Sequence, residues 1–491
     1  MKKQKVRSQL KKLERVLFGS RNYSKKWLFF QDWPVHLHNF RYIINQADVN
    51  DSLIKNFIQT IQEIGLSNIT YLFLQLVRTM DEMAKIQRRK GKPSKENKKK
   101  YQKFDRNLPF QLPQVEQKKL RGELSSYDRF QRAVNLKEPD RVPITPLMDY
   151  FYAANNNMSA YDFVMAPFKY IFAAVRKTYK KFDGNLDMVH VPMGRLYAFF
   201  NWLPLATSGF YGELHYPDKT PSTLQFIEKG YIDLKDFKRI RKLGLRSIWK
   251  PVNIQKMCDT IVDLVNIGKY IDYWENHQHV PIYATSGVVT PLEALCYLMG
   301  IKNWSKAILK HKEEMKQMCD FLLDAIKANN YMMYSFSRVP RTYICLERVS
   351  ASFISPKIFE DLVLDNLLKL VKENVKNGLT TVFHMDSNWT PFFRFFLEFP
   401  KNGKYILHIE DSDIYKAKEM LGDRFCIMGN IQTKLLRFGT KQQIIDKTKE
   451  LIDGCKEGGG YMMAEGCEIA PDTPMRNLKT WIETTKTYGQ Y

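Results

Sequence analysis

Three features of the sequence predict an α/β fold, a (β/α)8 TIM barrel with an extra N-terminal helical region. Eight short β-type runs follow one another from residue 141 onward, helical stretches lie between most of them, and residues 1–84 show helical periodicity instead. The runs are RVPITPLM (141–148), LDMVHVPM (186–193), VPIYATSG (280–287), TYICLER (342–348), TTVFH (380–384), KYILHIE (404–410), FCIMG (425–429) and GYMMAEG (460–466). Between the fourth and fifth, ISPKIFEDLVLDNLLKLVKENVKNG (354–378) carries apolar residues at helical spacing and stops at Gly378. Eight strands alternating with helices predict a closed barrel rather than an open sheet.

One segment breaks the rhythm. Within 207–240, ATSGFYGELHY and TLQFIEKGY read as a β-hairpin inserted after the second strand, placed where a lid would be. Upstream, DSLIKNFIQTIQEIGLSNITYLFLQLVRTMDEMA (51–84) gives the clearest helical pattern of the 1–84 region. Residues 85–124 are polar and basic, punctuated by Pro93, Pro109 and Pro113, and form a linker to a barrel spanning 125–491.

Composition narrows the classes of function. Of the 491 residues, 44% are hydrophobic and 26% charged, which is ordinary for a soluble globular protein. The longest apolar runs, such as YLFLQLV (71–77), fall far short of the ~20 residues that span a bilayer. The basic N-terminus lacks an apolar core, which argues against secretion and for a cytoplasmic protein. Seven cysteines without a CxxC pair fit reduced thiols. Net charge is +24, of which about +15 precedes residue 116, densest in RRKGKPSKENKKKYQK (88–103). One tyrosine, Tyr101, near the end of that block is not the aromatic interleaving that nucleic-acid stacking would require, so a solvated linker is the better reading.

In a barrel of this kind, chemistry gathers where the strands end. Those positions hold Asp149, His190, Arg195, Ser286, Glu347, Arg348, His384, Asp386, Glu410, Asp411, Asn430, Glu465, Cys467 and Glu468. His384 and Asp386 leave the fifth run and Cys467 the eighth. Imidazole, carboxylate and thiolate make three protein donors with an open fourth position, the pattern of a catalytic zinc. The alternative is structural: a hydrogen-bonded strand-end histidine, a turn-forming or helix-capping aspartate, and a buried thiol. Composition alone does not choose between them.

Three stretches carry a family resemblance. LGDRFCIMGNIQTKLLRFGTKQQI (421–444) and EGGGYMMAEGCEIAPDTPMRNLKTWIETTKTYG (457–489) resemble the C-terminal signature of the uroporphyrinogen decarboxylase superfamily, and FQRAVNLKEPDRVPITPL (130–147) resembles its entry motif. The resemblance covers about 127–491 and implies a TIM barrel. Its decarboxylases, enzymes of porphyrin and heme biosynthesis, carry an arginine-rich motif after the first strand and a histidine in the last Gly-rich loop. Here PLMDYFYAANNNMSAYDF (146–163) holds no arginine, and Cys467 stands in that loop.

The other branch consists of corrinoid-dependent methyltransferases of one-carbon metabolism, which bind zinc through a His-x-Cys motif and a cysteine of the last loop. The resemblance therefore implies zinc on His384, Asp386 and Cys467, with Asp386 replacing the first cysteine, and Glu347, His190 and Glu465 in catalytic roles. Its implied substrates are methylcobamide carried by a separate corrinoid protein, since no DxHxxG motif is present, and a small-molecule methyl acceptor such as a thiol. A homodimer is compatible with this reading. The alternatives are a uroporphyrinogen decarboxylase and a non-catalytic binding protein with a basic N-terminal region.

Overall fold

The computed structural model describes residues 123–166, 168–192, 213–227, 229–244, 267–337 and 339–491. The predicted helices of 1–84, the linker up to residue 122, and Arg195 lie outside the described residues.

Helix α1 (Ser126–Val134) begins at Ser125, whose hydroxyl accepts the Asp128 N–H at 3.0 Å. Its apolar face, Phe130, Ala133 and Val134, packs on Val382, Ile406, Cys426 and Met462. The helix thus plugs the end of the barrel at which the strands begin. A short antiparallel hairpin follows, β1 (Glu213–His215) and β2 (Gln225–Ile227), with Glu213 opposite Ile227. This is the predicted insertion. Phe226 of β2 lies 5.4 Å from the Tyr297 ring and 5.2 Å from the Arg348 guanidinium, so the hairpin rests on the barrel rim.

The barrel wall is a parallel sheet of β3 (Ser286–Val289), β4 (Arg341–Leu346), β5 (Thr380–Met385), β6 (Lys404–Ile409), β7 (Cys426–Gly429) and β8 (Tyr461–Met462), adjacent in that order. Helices α2 (Pro291–Met299), α3 (Lys312–Ser337), α4 (Asp365–Lys376), α5 (Lys441–Cys455) and α6 (Met475–Tyr488) lie between or after these strands. The predicted 354–378 helix starts at Ser355, whose hydroxyl caps the Ile358 N–H. It passes through a π-type turn over Glu360–Leu364 and ends before Gly378 at φ +70°.

The first two predicted strands differ from the expectation. They close the barrel through single bridges, Ile144 to Met463 and Val189 to Ile282, with the Asp187 N–H donating to the Ile144 carbonyl at 2.7 Å. The cause is local: Pro143 and Pro146 have no N–H to give, and the Ile144 N–H is taken by the Asp187 carboxylate at 2.8 Å. The third run forms a regular ladder only from Ser286 onward.

What the ladder lacks at this seam, charge supplies. Asp187 is fully buried and accepts from Arg129 at 2.6 Å and Arg141 at 2.7 Å, while Arg129 also holds Asp140 through two nitrogens at 2.6 and 2.7 Å. Burial opposes the Asp187 charge, but the Arg141 and Arg129 guanidiniums outweigh it and hold the carboxyl below its ordinary value. A polar belt of Asn330, Asn374, Ser286, Thr342 and Thr381 fastens α3 and α4 to the strands.

Asp187→Asn is expected to cost about 3–5 kcal/mol in urea unfolding, because two buried guanidiniums lose their counter-charge. The folded pKa of Asp187 lies below the unfolded value near ~4, so its contribution is complete above that value and is lost as pH falls through the folded pKa. The variant should accordingly show a shallower acid limb in stability against pH. An unchanged unfolding midpoint would remove this clamp from the account of closure.

Candidate metal centre

Parallel register builds the site. Tyr343, Val382, Ile406 and Cys426 are paired across β4 to β7, and two residues further Cys345, His384, His408 and Met428 form the next row. Side chains alternate along a strand, so both rows share a face, and the next positions on it are Glu347, Asp386, Glu410 and Asn430. The lower row packs apolar side chains against α1. The upper ones carry imidazoles, carboxyls and a thiol to the end where the strands finish.

The structure brings His384, Asp386 and Cys467 together, with one donor atom from each lying within 4.8 Å of the others. His384 Nε2 is 3.0 Å from Asp386 Oδ1 and 3.5 Å from Cys467 Sγ. At that distance Asp386 Oδ1 has no hydrogen-bond partner. An orphaned carboxylate oxygen, an imidazole nitrogen and a thiol aimed at one point fit a cation with mixed N, O and S donors. Their charges agree. Burial opposes a proton on His384, yet Asp386 outweighs it and lifts the pKa to about 9, while burial and then Asp386 push the Cys467 thiol well up.

A histidine missed in the sequence fixes the orientation of His384. His408 Nε2 lies 2.8 Å from the Glu465 carbonyl, which only accepts, so Nε2 carries the hydrogen. Burial, then the charge on His384, lowers the His408 pKa to about 3 and keeps the ring neutral. Its Nδ1 is therefore an acceptor, facing the Tyr283 hydroxyl at 2.9 Å and His384 Nδ1 at 3.1 Å. His384 then donates from Nδ1 and presents Nε2 to Asp386 and Cys467. The available signal was register: His384 and His408 are cross-strand partners.

The remaining expected residues divide. Glu347 is half-buried and engaged by the Tyr297 hydroxyl and, at 2.7 Å, the Cys345 thiol; burial and then Asp386 raise its pKa. Glu465 is fully buried, with one oxygen accepting the Leu147 N–H and the other unpaired, and burial pushes it up to about 8. Glu468, beside Cys467, is raised by burial to about 7. His190 approaches Asp149 at 3.9 Å with its Nδ1 unpaired, and burial followed by the charge on His384 lowers it to about 3. Ser286 instead donates to Asn330 at 2.9 Å in the polar belt. Asn430 bonds the Glu410 and Ser412 carbonyls, and Glu410 accepts the Ser387 N–H at 2.6 Å. Asp411 is exposed.

Sequence comparison places the chain in a family. The family model described as uroporphyrinogen decarboxylase (URO-D) matches residues 220–488, more than half of the chain, and the chain belongs to that family. Among its curated relatives is the methylcobamide:CoM methyltransferase MtaA of Methanosarcina barkeri, 26% identical over 212 residues, which are 43% of this chain and 59% of that protein. Another is the uroporphyrinogen decarboxylase of Trichodesmium erythraeum (strain IMS101), 30% identical over 139 residues, 28% of this chain and 38% of the relative. The chain thus matches less than two thirds of the length of either. A solved methyltransferase from Methanosarcina mazei shares the fold at a TM-score of 0.55 and 20% identity, covering 74% of this chain and 99% of its own.

Among the described residues no helix is long and apolar enough to cross a membrane, and Cys296, Cys319, Cys345, Cys426, Cys455 and Cys467 are all free thiols.

His408→Phe keeps a ring in place but removes the acceptor for His384. It is expected to weaken metal binding by about 10–100-fold in chelator competition. A melting temperature measured alongside separates this from loss of fold. Unaltered metal affinity would show that His384 is oriented without His408.

Proposed function

We propose that this protein is a methyltransferase that takes a methyl group from methylcobamide on a separate corrinoid protein and gives it to a thiol at a zinc centre. The observation that carries the reading is the convergence of His384, Asp386 and Cys467 at the ends of the strands. The match to MtaA, whose name records methylcobamide as donor and CoM as acceptor, supports it. Bound there, zinc would supply the positive charge that lowers an acceptor thiol from about 8.5 toward neutrality.

The chain's own residues do the rest. His384, held by His408, and Asp386 and Cys467 would hold the zinc on which the acceptor thiol is positioned. Glu347, less buried than Glu465, would serve as a fourth, exchangeable donor. The hairpin, resting on Tyr297 through Phe226, limits water at the mouth. The thiol proton leaves to solvent by way of Glu468, the partly exposed carboxyl next to Cys467. The sulfur pair forms the new S–C bond as the donor's bond to that carbon breaks, its electron pair staying with the donor.

Tetrapyrrole decarboxylation fits the same centre poorly. A substrate bearing several carboxylates would meet Glu347, Glu465 and Glu468, and 146–163 provides no arginine to receive it.

Full-length protein is expected to retain about one zinc per chain by elemental analysis, as a single centre requires, and to lose it in His384→Ala and Cys467→Ala. Both variants should lose methyl transfer from a methylated corrinoid protein to a thiol. Asp386→Cys should hold zinc more tightly, since sulfur replaces a harder oxygen. Purified protein free of transition metal, or His384→Ala with full zinc content, would sink the reading.

A further inference from the structure

One nitrogen beside the metal centre is approached by two donors. His408 commits its Nε2–H to the Glu465 carbonyl at 2.8 Å, which leaves Nδ1 with a single in-plane lone pair. The Tyr283 hydroxyl reaches that nitrogen at 2.9 Å, and His384 Nδ1 reaches it at 3.1 Å. A carbonyl or carboxylate oxygen has lone pairs for both. An imidazole nitrogen has one, so the two donors share it and neither bond is at full strength.

Packing keeps Tyr283 in this contest. The residue is 1% exposed, and its N–H bonds the Val189 carbonyl at 2.9 Å beside the Val189–Ile282 bridge. Its ring stands edge-on to His408, Tyr343 and His190, at centroid distances of 5.8, 5.6 and 6.0 Å. Tyr343 in turn lies against the His384 ring at 5.4 Å. Among the described residues the Tyr283 hydroxyl has no acceptor other than His408 Nδ1.

A cation on His384 Nε2 would shift the balance. It requires the hydrogen of that ring to sit on Nδ1 and draws electron density from it, so the Nδ1–H becomes a stronger donor and claims more of the His408 lone pair. What His384 gains, the buried Tyr283 hydroxyl loses. We infer that Tyr283 is a positioning residue that competes with His384 for His408 Nδ1 and thereby loosens the hold of the centre on its metal. The same competition tunes the ring as a ligand. An imidazole whose far N–H is fully bonded is the more basic ligand, so a shared bond leaves less electron density at Nε2 and more of the positive charge for an acceptor thiol. The inference rests on the zinc reading and adds to it a residue that trades tightness of binding against acidity.

Tyr283→Phe keeps the ring and removes the hydroxyl, leaving His408 Nδ1 to His384 alone. Zinc affinity of the full-length protein is measured by chelator competition, with a melting temperature for each variant. Tyr283→Phe is expected to bind zinc about 3- to 10-fold more tightly than wild type, the effect of one ordinary hydrogen bond. In a His408→Phe background the same substitution should change the affinity by less than about 2-fold, because the contested lone pair is gone. A hydroxyl with a merely structural role gives unchanged or weaker binding in Tyr283→Phe, and either result overturns the inference while leaving the zinc centre standing. Tightening that persists without His408 also overturns it, since the effect then runs by another route. Wild type and Tyr283→Phe that both fail to hold zinc overturn the inference together with the centre itself.

Discussion

Unbroken parallel register across β4, β5, β6 and β7 is the constraint on which the site depends. Because each strand exposes alternate residues to the interior, pairing Cys345 with His384, and His384 with His408, fixes the positions two residues further along as well. A slip of one residue in β5 would turn His384 and Asp386 into the helix layer and bring Phe383 and Met385 inward. The apolar layer of Val382, Ile406 and Cys426 against α1 opposes such a slip, since it would bury polar groups without partners. Packing at the closed end thereby holds chemistry at the open end.

The two ends of the barrel handle buried charge in opposite ways. At the closed end Asp187 meets two guanidiniums and a backbone N–H, so its charge is answered and its pKa falls. At the open end Asp149, Glu293, Glu465 and Glu468 are driven upward, chiefly by burial. Groups that serve stability are satisfied by the chain itself. Groups that lack such partners stay protonated instead, and this separates Asp187 from Glu293 although both are fully buried.

Much of this was legible in the sequence. TTVFH, KYILHIE and FCIMG match β5, β6 and β7 to within a residue or two, and the hairpin fell where its turn residues placed it. The weak seam was less legible, although Pro143 and Pro146 were visible, because the Asp187 clamp joins residues more than 40 positions apart. Polar residues at strand ends were only candidates: Ser286 and Asn430 satisfy backbone and belt contacts whose partners are distant in sequence. His408 was hidden differently. In KYILHIE it reads as an interruption of an apolar run, and only pairing with β5 shows that it faces His384.

Asp386 is the position at which the chain departs from the ligand pattern that the family resemblance implies, and the structure gives the departure a setting. Carboxylate and thiolate carry the same charge, so the exchange leaves the electrostatic demand for a cation intact while replacing a soft donor by a hard one. The hard donor is not isolated: Asp386 acts on Glu347, and both act on Glu468, within the same ring of carboxyls. A donor set of this composition would hold zinc less tightly than one with two sulfurs. The exchange of sulfur for oxygen at 386 thus changes the hardness of the donor set beside His384 without changing its charge.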